Sequence, residues 1–265
     1  MRSMPVAVLS VALVLAALSP AIAAAQAAMP EVIVWVNSLK AKPGQSEALT
    51  GMLIEQGTKS YDPLIASGAI VNWGVALNVA HDGNDPSSHV EWVSFNGWAG
   101  VDQFMAAFMA ARQSMSAEDM AAMDQAWDAS VVEGSHSDLI NRGVDFGLGM
   151  AGRPNYIHLG YHNVNPGKSG AMKELWSNGA KPIFEKLAAD GDIIAYGMQV
   201  PEVHRDQGWT HLTWYSTSNL AARSAVHAAF GEPSDEMAAT MAEVFGEGHV
   251  DQILMVVHFN EAGAE

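Results

Sequence analysis

Pro43-Gly44-Gln45-Ser46-Glu47-Ala48-Leu49 and Pro166-Gly167-Lys168-Ser169-Gly170-Ala171-Met172 are one element written twice, 123 residues apart. Carried on to Val75 and Met198, the two stretches agree at nine of 33 positions, among them Leu64 with Leu187, Gly68 with Gly191, Ile70 with Ile193 and Gly74 with Gly197. Tyr61 meets Phe184 and Trp73 meets Tyr196. With a one-residue adjustment, His89, Trp92, Ser94 and Ala106-Ala107-Phe108 fall on His211, Trp214, Ser216 and Ala228-Ala229-Phe230. Further on, His136-Ser137-Asp138 meets His249-Val250-Asp251 at a shift of 113. So many elements kept in one order identify an internal duplication. The two units span 30–148 and 154–261, joined by the Gly-rich stretch Gly147 to Gly152.

Each unit carries the same pattern of elements. Val32 to Leu39 and Tyr156 to Val164 are short β-rich runs, each followed by the Pro-Gly that opens a helix. In the second helix Met172, Leu175, Trp176, Ala180, Ile183, Phe184 and Leu187 form an apolar stripe at helical spacing. Gly68 and Gly191 stand where a left-handed residue ends a helix. Strands are expected at Ile70 to Val79 and His89 to Phe95, matched by Ile193 to Val200 and Thr210 to Tyr215. Ala- and Met-rich helices follow, and final strands fall near Ile140 to Phe146 and Ile253 to Phe259. The order β-α-β-β-α-β is the ferredoxin-like unit. Its open sheet has helices on one face only, so the other face needs cover, and a second copy supplies it. The expected fold is α+β: two tandem ferredoxin-like βαββαβ units whose antiparallel sheets pack face to face as an intrachain α/β barrel.

Composition narrows the function. With 49% hydrophobic and 16% charged residues in 265, the chain can bury a large core. A formal charge of −16 repels a phosphate backbone, which argues against nucleic acid as a partner. The absence of Cys excludes disulfides, thiolate nucleophiles, Cys-ligated zinc and iron–sulfur clusters. Arg2, the 13-residue run Val6 to Leu18, Pro20 and the small residues Ala21 to Ala25 read as a secretory signal peptide over residues 1–25. The run is shorter than the ~20 residues that span a bilayer, so no stable membrane insertion is expected and the mature chain is assigned as periplasmic or secreted. Gly-x-Gly-x-x-Gly, Walker, His-Glu-x-x-His and Gly-x-Ser-x-Gly motifs are missing, which leaves nucleotide use and serine hydrolysis unsupported. Met105, Met109, Met115, Met120 and Met123 lack the spacing of a copper-binding box and read as core filling.

In element order, strand-to-helix Pro-Gly and duplication, the chain resembles the dimeric α/β-barrel superfamily, which includes cofactor-free antibiotic-biosynthesis monooxygenases, haem-degrading monooxygenases and chlorite dismutase-like proteins. That resemblance covers nearly all of the mature chain and implies a ligand cavity between sheet and helices or inside the barrel. Asn37 with Trp92 is similar to the Asn and Trp of the monooxygenases, but the next His after Trp92 is His136, so no catalytic role is carried over. No cofactor is required by the sequence, and the resemblance leaves haem open. A homo-oligomer is compatible with it.

On the first strand of the second unit, Tyr156, His158, Gly160 and His162 share one face, where the first unit has Ile33, Trp35, Asn37 and Leu39. Seven of the ten His lie in the second unit, which makes it the expected site of any active pocket. The candidate catalytic residues are His158, His162 and His211. The candidate ligand-binding residues are Tyr196, Tyr215, Trp214, Asn37 and Trp92. His158 and His162, about 13 Å apart along a strand, cannot share one metal, and no metal site is assigned, although His162 with His249 and Asp251 stays open as an alternative. A His with a pKa near neutrality would serve as base. The expected activity is that of an exported small-molecule enzyme that binds an aromatic or tetrapyrrole-like ligand in an apolar barrel pocket, with cofactor-independent or haem-linked oxidation. A non-catalytic binding protein, and a structural or interaction module, are the alternatives.

Overall fold

The two Pro-Gly pairs make the same turn. Gln45 N–H donates to the Lys42 carbonyl at 2.9 Å and Lys168 N–H to the Asn165 carbonyl at 3.0 Å, with Gly44 and Gly167 at φ +77° and +80°. Proline fixes the second turn position and glycine supplies the positive φ of the third, so the chain reverses and enters a helix. The computed structural model describes residues 31–79, 86–149, 152–203 and 208–261. The signal-peptide assignment falls outside these residues.

In the first half β1 (Val32–Leu39) leads through this turn to α1 (Ser46–Ala66), then β2 (Ile70–Asn78), β3 (His89–Asn96), α2 (Gly97–Ser114), α3 (Ala117–Ser130) and β4 (Ser137–Leu148). The second half repeats the order with β5 (Tyr156–His162), α4 (Ser169–Leu175), α5 (Lys181–Asp190), β6 (Ala195–Pro201), β7 (His211–Thr217), α6 (Ala222–Phe230), α7 (Asp235–Val244) and β8 (Val250–Glu261). The stripe expected to form one continuous helix is broken by a π turn at Trp176–Ala180. Pro182, which has no N–H to give, stands in the first turn beyond it. Leu148 and Gly147, expected in the linker, belong to β4. There Gly147 lies so close under the Tyr196 ring that a Cβ would stand 2.3 Å from it.

All pairings are antiparallel, and the strands close in the order β1-β3-β2-β8-β5-β7-β6-β4. Each half keeps the ferredoxin-like order, but the two sheets do more than face one another. Their edges join through β2 with β8 and β4 with β6, so the barrel has no free edge. Three apolar layers result. Ile33, Leu49, Leu53, Trp73 and Phe95 pack between the first sheet and its helices, and Met172, Trp176, Phe184, Leu187 and Met198 do so in the second half. Ala76, Val90, Leu254 and Val256 form the third layer, in the lumen. Among the described residues no helix is long and apolar enough to cross a membrane.

Candidate functional site

Strand pleating sorts the candidate residues onto two sides of one sheet. Trp92 and Trp214 line the lumen, whereas Asn37, His158, His162, His211, Tyr196 and Tyr215 face the helices. The expectation of one barrel pocket walled by Trp, Tyr and His together is therefore corrected. Asn37 and Trp92 are not partners either: in register Asn37 stands opposite Glu91 and Val36 opposite Trp92. The two glycines and two tryptophans that recur in the repeat explain each other. Trp92 pairs with Gly74 and Trp214 with Gly197, and a Cβ on either glycine would come within 2.4 or 2.8 Å of the indole.

Under the helices of the second half lies a pocket of about 310 Å³ lined by His158, His162, Tyr215, Arg223, His227 and His249. Its space follows from substitutions between the repeats. Where the first half has Trp35, Asn37, Glu91 and Phe104, the second has His158, Gly160, Thr213 and Val226. In the first half Phe104 closes that space by packing 6.0 Å from Trp35 and 5.7 Å from Tyr61, ring centre to ring centre.

His158 is buried and stacks on Tyr215, with ring centroids 4.4 Å apart and planes 9° from parallel. Its Nε2 is 3.4 Å from Thr217 Oγ1, and its Nδ1 is buried without a partner. Burial pushes its pKa down to about 4, with the charges of Arg223 and His227 acting the same way. Burial likewise lowers His162 to about 4, helped by His249, whose ring lies 4.9 Å away. Both imidazoles are thus neutral bases rather than groups poised near pH 7. His162 Nε2 is engaged by Thr213 Oγ1 at 2.8 Å.

His211 stands opposite His162 in the strand pairing but does not line the pocket. Its Nδ1 bonds Thr210 Oγ1 at 3.0 Å. The equivalent His89 bonds Ser88 Oγ through Nδ1 and reaches Thr50 Oγ1 and the Ser46 carbonyl through Nε2, tying β3 to the first turn of α1. Tyr196 also stays out of the pocket, stacked on Phe184 in the core. His136 and His249 repeat one exposed contact, each with the Asp two residues on, at 3.3 and 3.1 Å. His162, His249 and Asp251 do gather at one end, but no group of three or more ligating side chains fit for a metal occurs among the described residues.

At about 310 Å³ this pocket stands at the lower end of the roughly 300–1,000 Å³ range of ligand pockets, a volume that favours a compact ligand over a tetrapyrrole.

Sequence reading passed over Glu91, a carboxyl buried on the helix side of β3. Asn37 Nδ2 donates to it at 2.7 Å and Tyr61 also bonds it, yet burial outweighs both and raises its pKa to about 7. The signal was present in Val90-Glu91-Trp92-Val93, where a Glu interrupts a buried strand. Because the folded pKa exceeds that of the unfolded chain, the folded state holds an extra proton between about pH 4.5 and 7, and stability falls as pH rises through that window. Glu91→Gln should flatten this dependence and leave the variant on the order of 2–3 kcal/mol more stable than the parent at pH 8, by urea titration at several pH values. An unchanged slope would show that Glu91 is ionised in the fold.

No family model matches the chain, and no curated protein does. Solved structures do. A proposed monooxygenase from Fusobacterium nucleatum superposes with TM-score 0.59 at 9% identity, over 89% of this chain and 97% of that one. Another, from Lactobacillus acidophilus, gives 0.59 at 11%, over 88% and 98%. An anthrone oxidase-like protein gives 0.52 at 15%, over 89% and 94%. At such identities the likeness is one of architecture. The chain has the fold of the dimeric α/β-barrel superfamily, with both ferredoxin-like halves carried on one polypeptide.

Proposed function

We propose that the pocket beneath the helices of the second half is the active site of a small-molecule enzyme that oxidises a planar, readily enolised aromatic compound with dioxygen and without a cofactor. The observation that carries this reading is the unpartnered Nδ1 of neutral His158 in a pocket that also holds Arg223. With Nε2–H given to Thr217, Nδ1 presents its lone pair. It takes a C–H proton from an anthrone-type methylene, and the electron pair stays on the substrate as an enolate. A weak base suffices because the anion forming beside the imidazolium and Arg223 raises the imidazole pKa as the proton moves. Dioxygen accepts the electrons as the carbon–oxygen bond forms. The imidazolium returns its proton to the peroxide, and loss of water leaves a ketone. The fold shared with an anthrone oxidase-like protein and two proposed monooxygenases supports the reaction class.

Oxygen uptake with anthrone as the probe tests it. The native enzyme should exceed the buffer rate, and His158→Gln should lose at least about a hundredfold. As the base must be neutral, the rate should fall with decreasing pH through about 4. Binding of anthrone without oxygen uptake would overturn the catalytic reading and leave a binding protein. We place the mature protein outside the cytoplasm, starting between Ala24 and Ala28, on the Ala-rich stretch behind the apolar run. An exported species whose intact mass still includes Val6 to Leu18 would refute the cleavage and mean a membrane anchor, and a protein found only in the cytoplasm would refute the export.

A further inference from the structure

The barrel lumen holds a second cavity, of about 350 Å³, on the opposite side of the sheet from His158 and lined by Val34, Val36, Trp92, Leu159, Trp214 and Leu254 among others. Sheet-on-sheet cores are normally filled by interdigitating side chains, so space of this size in the middle of one is unusual. Two polar groups in its wall are left without partners. Asn141, 1% exposed, gives its Nδ2 to Gln199 Oε1 at 3.2 Å, but its Oδ1 is buried and accepts nothing. In the first half Trp92 Nε1 donates to Asn72 Oδ1 at 3.1 Å. The residue matching Asn72 is Ala195, and among the described residues Trp214 Nε1 makes no hydrogen bond. An unsatisfied acceptor in an apolar wall costs free energy unless a ligand or water meets it.

We infer that the lumen is a ligand site separate from the helix-side pocket, and that it takes a neutral, elongated, mainly aromatic or hydrocarbon molecule with one hydroxyl, which donates to Asn141 Oδ1. The apolar wall supplies most of the affinity and Asn141 the orientation. Elongation follows from the register. Asn141 stands opposite Pro201 and Trp214 opposite Gly197, four positions or about 13 Å apart along β6. Neutrality follows from the walls. Among the described residues no Lys, Arg or His lines the cavity to pair a carboxylate, Asp145 is already paired with Lys181, and the exposed Glu261 repels an anion.

Calorimetry with biphenyl-4-ol, biphenyl and biphenyl-4-carboxylate tests this on the whole chain. Methyl NMR shifts of Ile157 and Leu254 report the place of binding. Biphenyl-4-ol should bind and shift these methyls, and the carboxylate should bind at least tenfold more weakly. Asn141→Leu should weaken biphenyl-4-ol about three- to tenfold and leave biphenyl unchanged. Val36→Phe, opposite Leu139 rather than Asn141 in the strand register, takes up lumen space and should weaken both. His158→Gln should alter none of these affinities, so failure of the lumen site and failure of the helix-side enzyme are told apart. The inference is overturned if the phenol does not bind, if Asn141→Leu changes phenol and hydrocarbon alike, or if the methyls that shift surround His158 instead.

Discussion

Replacing Trp73 by alanine is expected to lower the free energy of unfolding by about 3–5 kcal/mol, the range for emptying a buried aromatic site that cannot collapse. Trp73 is fully buried, with the Tyr61 ring 5.2 Å away, His258 4.3 Å away and its Nε1–H given to Asp62 Oδ1 at 2.8 Å. Gly57 of α1 lies against the indole, where a Cβ would stand 2.3 Å from the ring, so helix and strand are spaced for this side chain. Neighbours held by strand pairing on both sides of β2 cannot move in to fill the hole. Guanidinium titration gives the number. The half-exposed Trp98→Ala should cost well under 1 kcal/mol in the same assay. A loss below about 1 kcal/mol for Trp73→Ala would mean that α1 settles onto the sheet.

The second large effect comes from cutting the chain. Residues 31–148 expressed alone should not behave as a monomer, because β2 loses β8 and β4 loses β6, leaving two open edges. The lumen face with Val34, Val36 and Trp92 would also meet water. The half is expected to restore a barrel by pairing with a second copy, at twice its monomer mass in sedimentation. Cooperative unfolding should be lost on dilution below the dimer constant. A monodisperse monomer that melts as sharply as the whole chain would refute the argument. In that case the repeats would be independent domains rather than halves of one closed sheet.

The duplication, the element order and the Pro-Gly turns could be read from residues alone because each depends on local rules. Proline and glycine specify a turn wherever they occur together, and strand or helix periodicity survives without knowledge of the partner. The same holds for the residue pairs spaced within one strand, which is why alternation alone puts His158 and His162 on one face, the one that lines the helix-side pocket. The side of the sheet on which a face lies is not a local property. A one-residue offset exchanges lumen for helix side, and only the closed barrel decides between them. This is why Trp92 and Trp214 parted from the histidines, and why Asn37 turned out to serve Glu91.

Burial separated the remaining candidates. His211 and His158 are equally plausible bases in sequence, yet one bonds Thr210 at the start of β7 and the other, on the wall of a pocket, has a buried ring nitrogen without a partner. Their pKa values depend on how much water and which charges surround each ring, and those charges come from α6, about 60 residues along the chain from β5, for His158 and from Lys173 of α4 for His211. Sequence by itself determined the repeat and the architecture it builds. Tertiary structure decided which face is inside, which polar atoms are left unpaired and where space remains, because closure, desolvation and cavity volume are sums over residues distant in the chain.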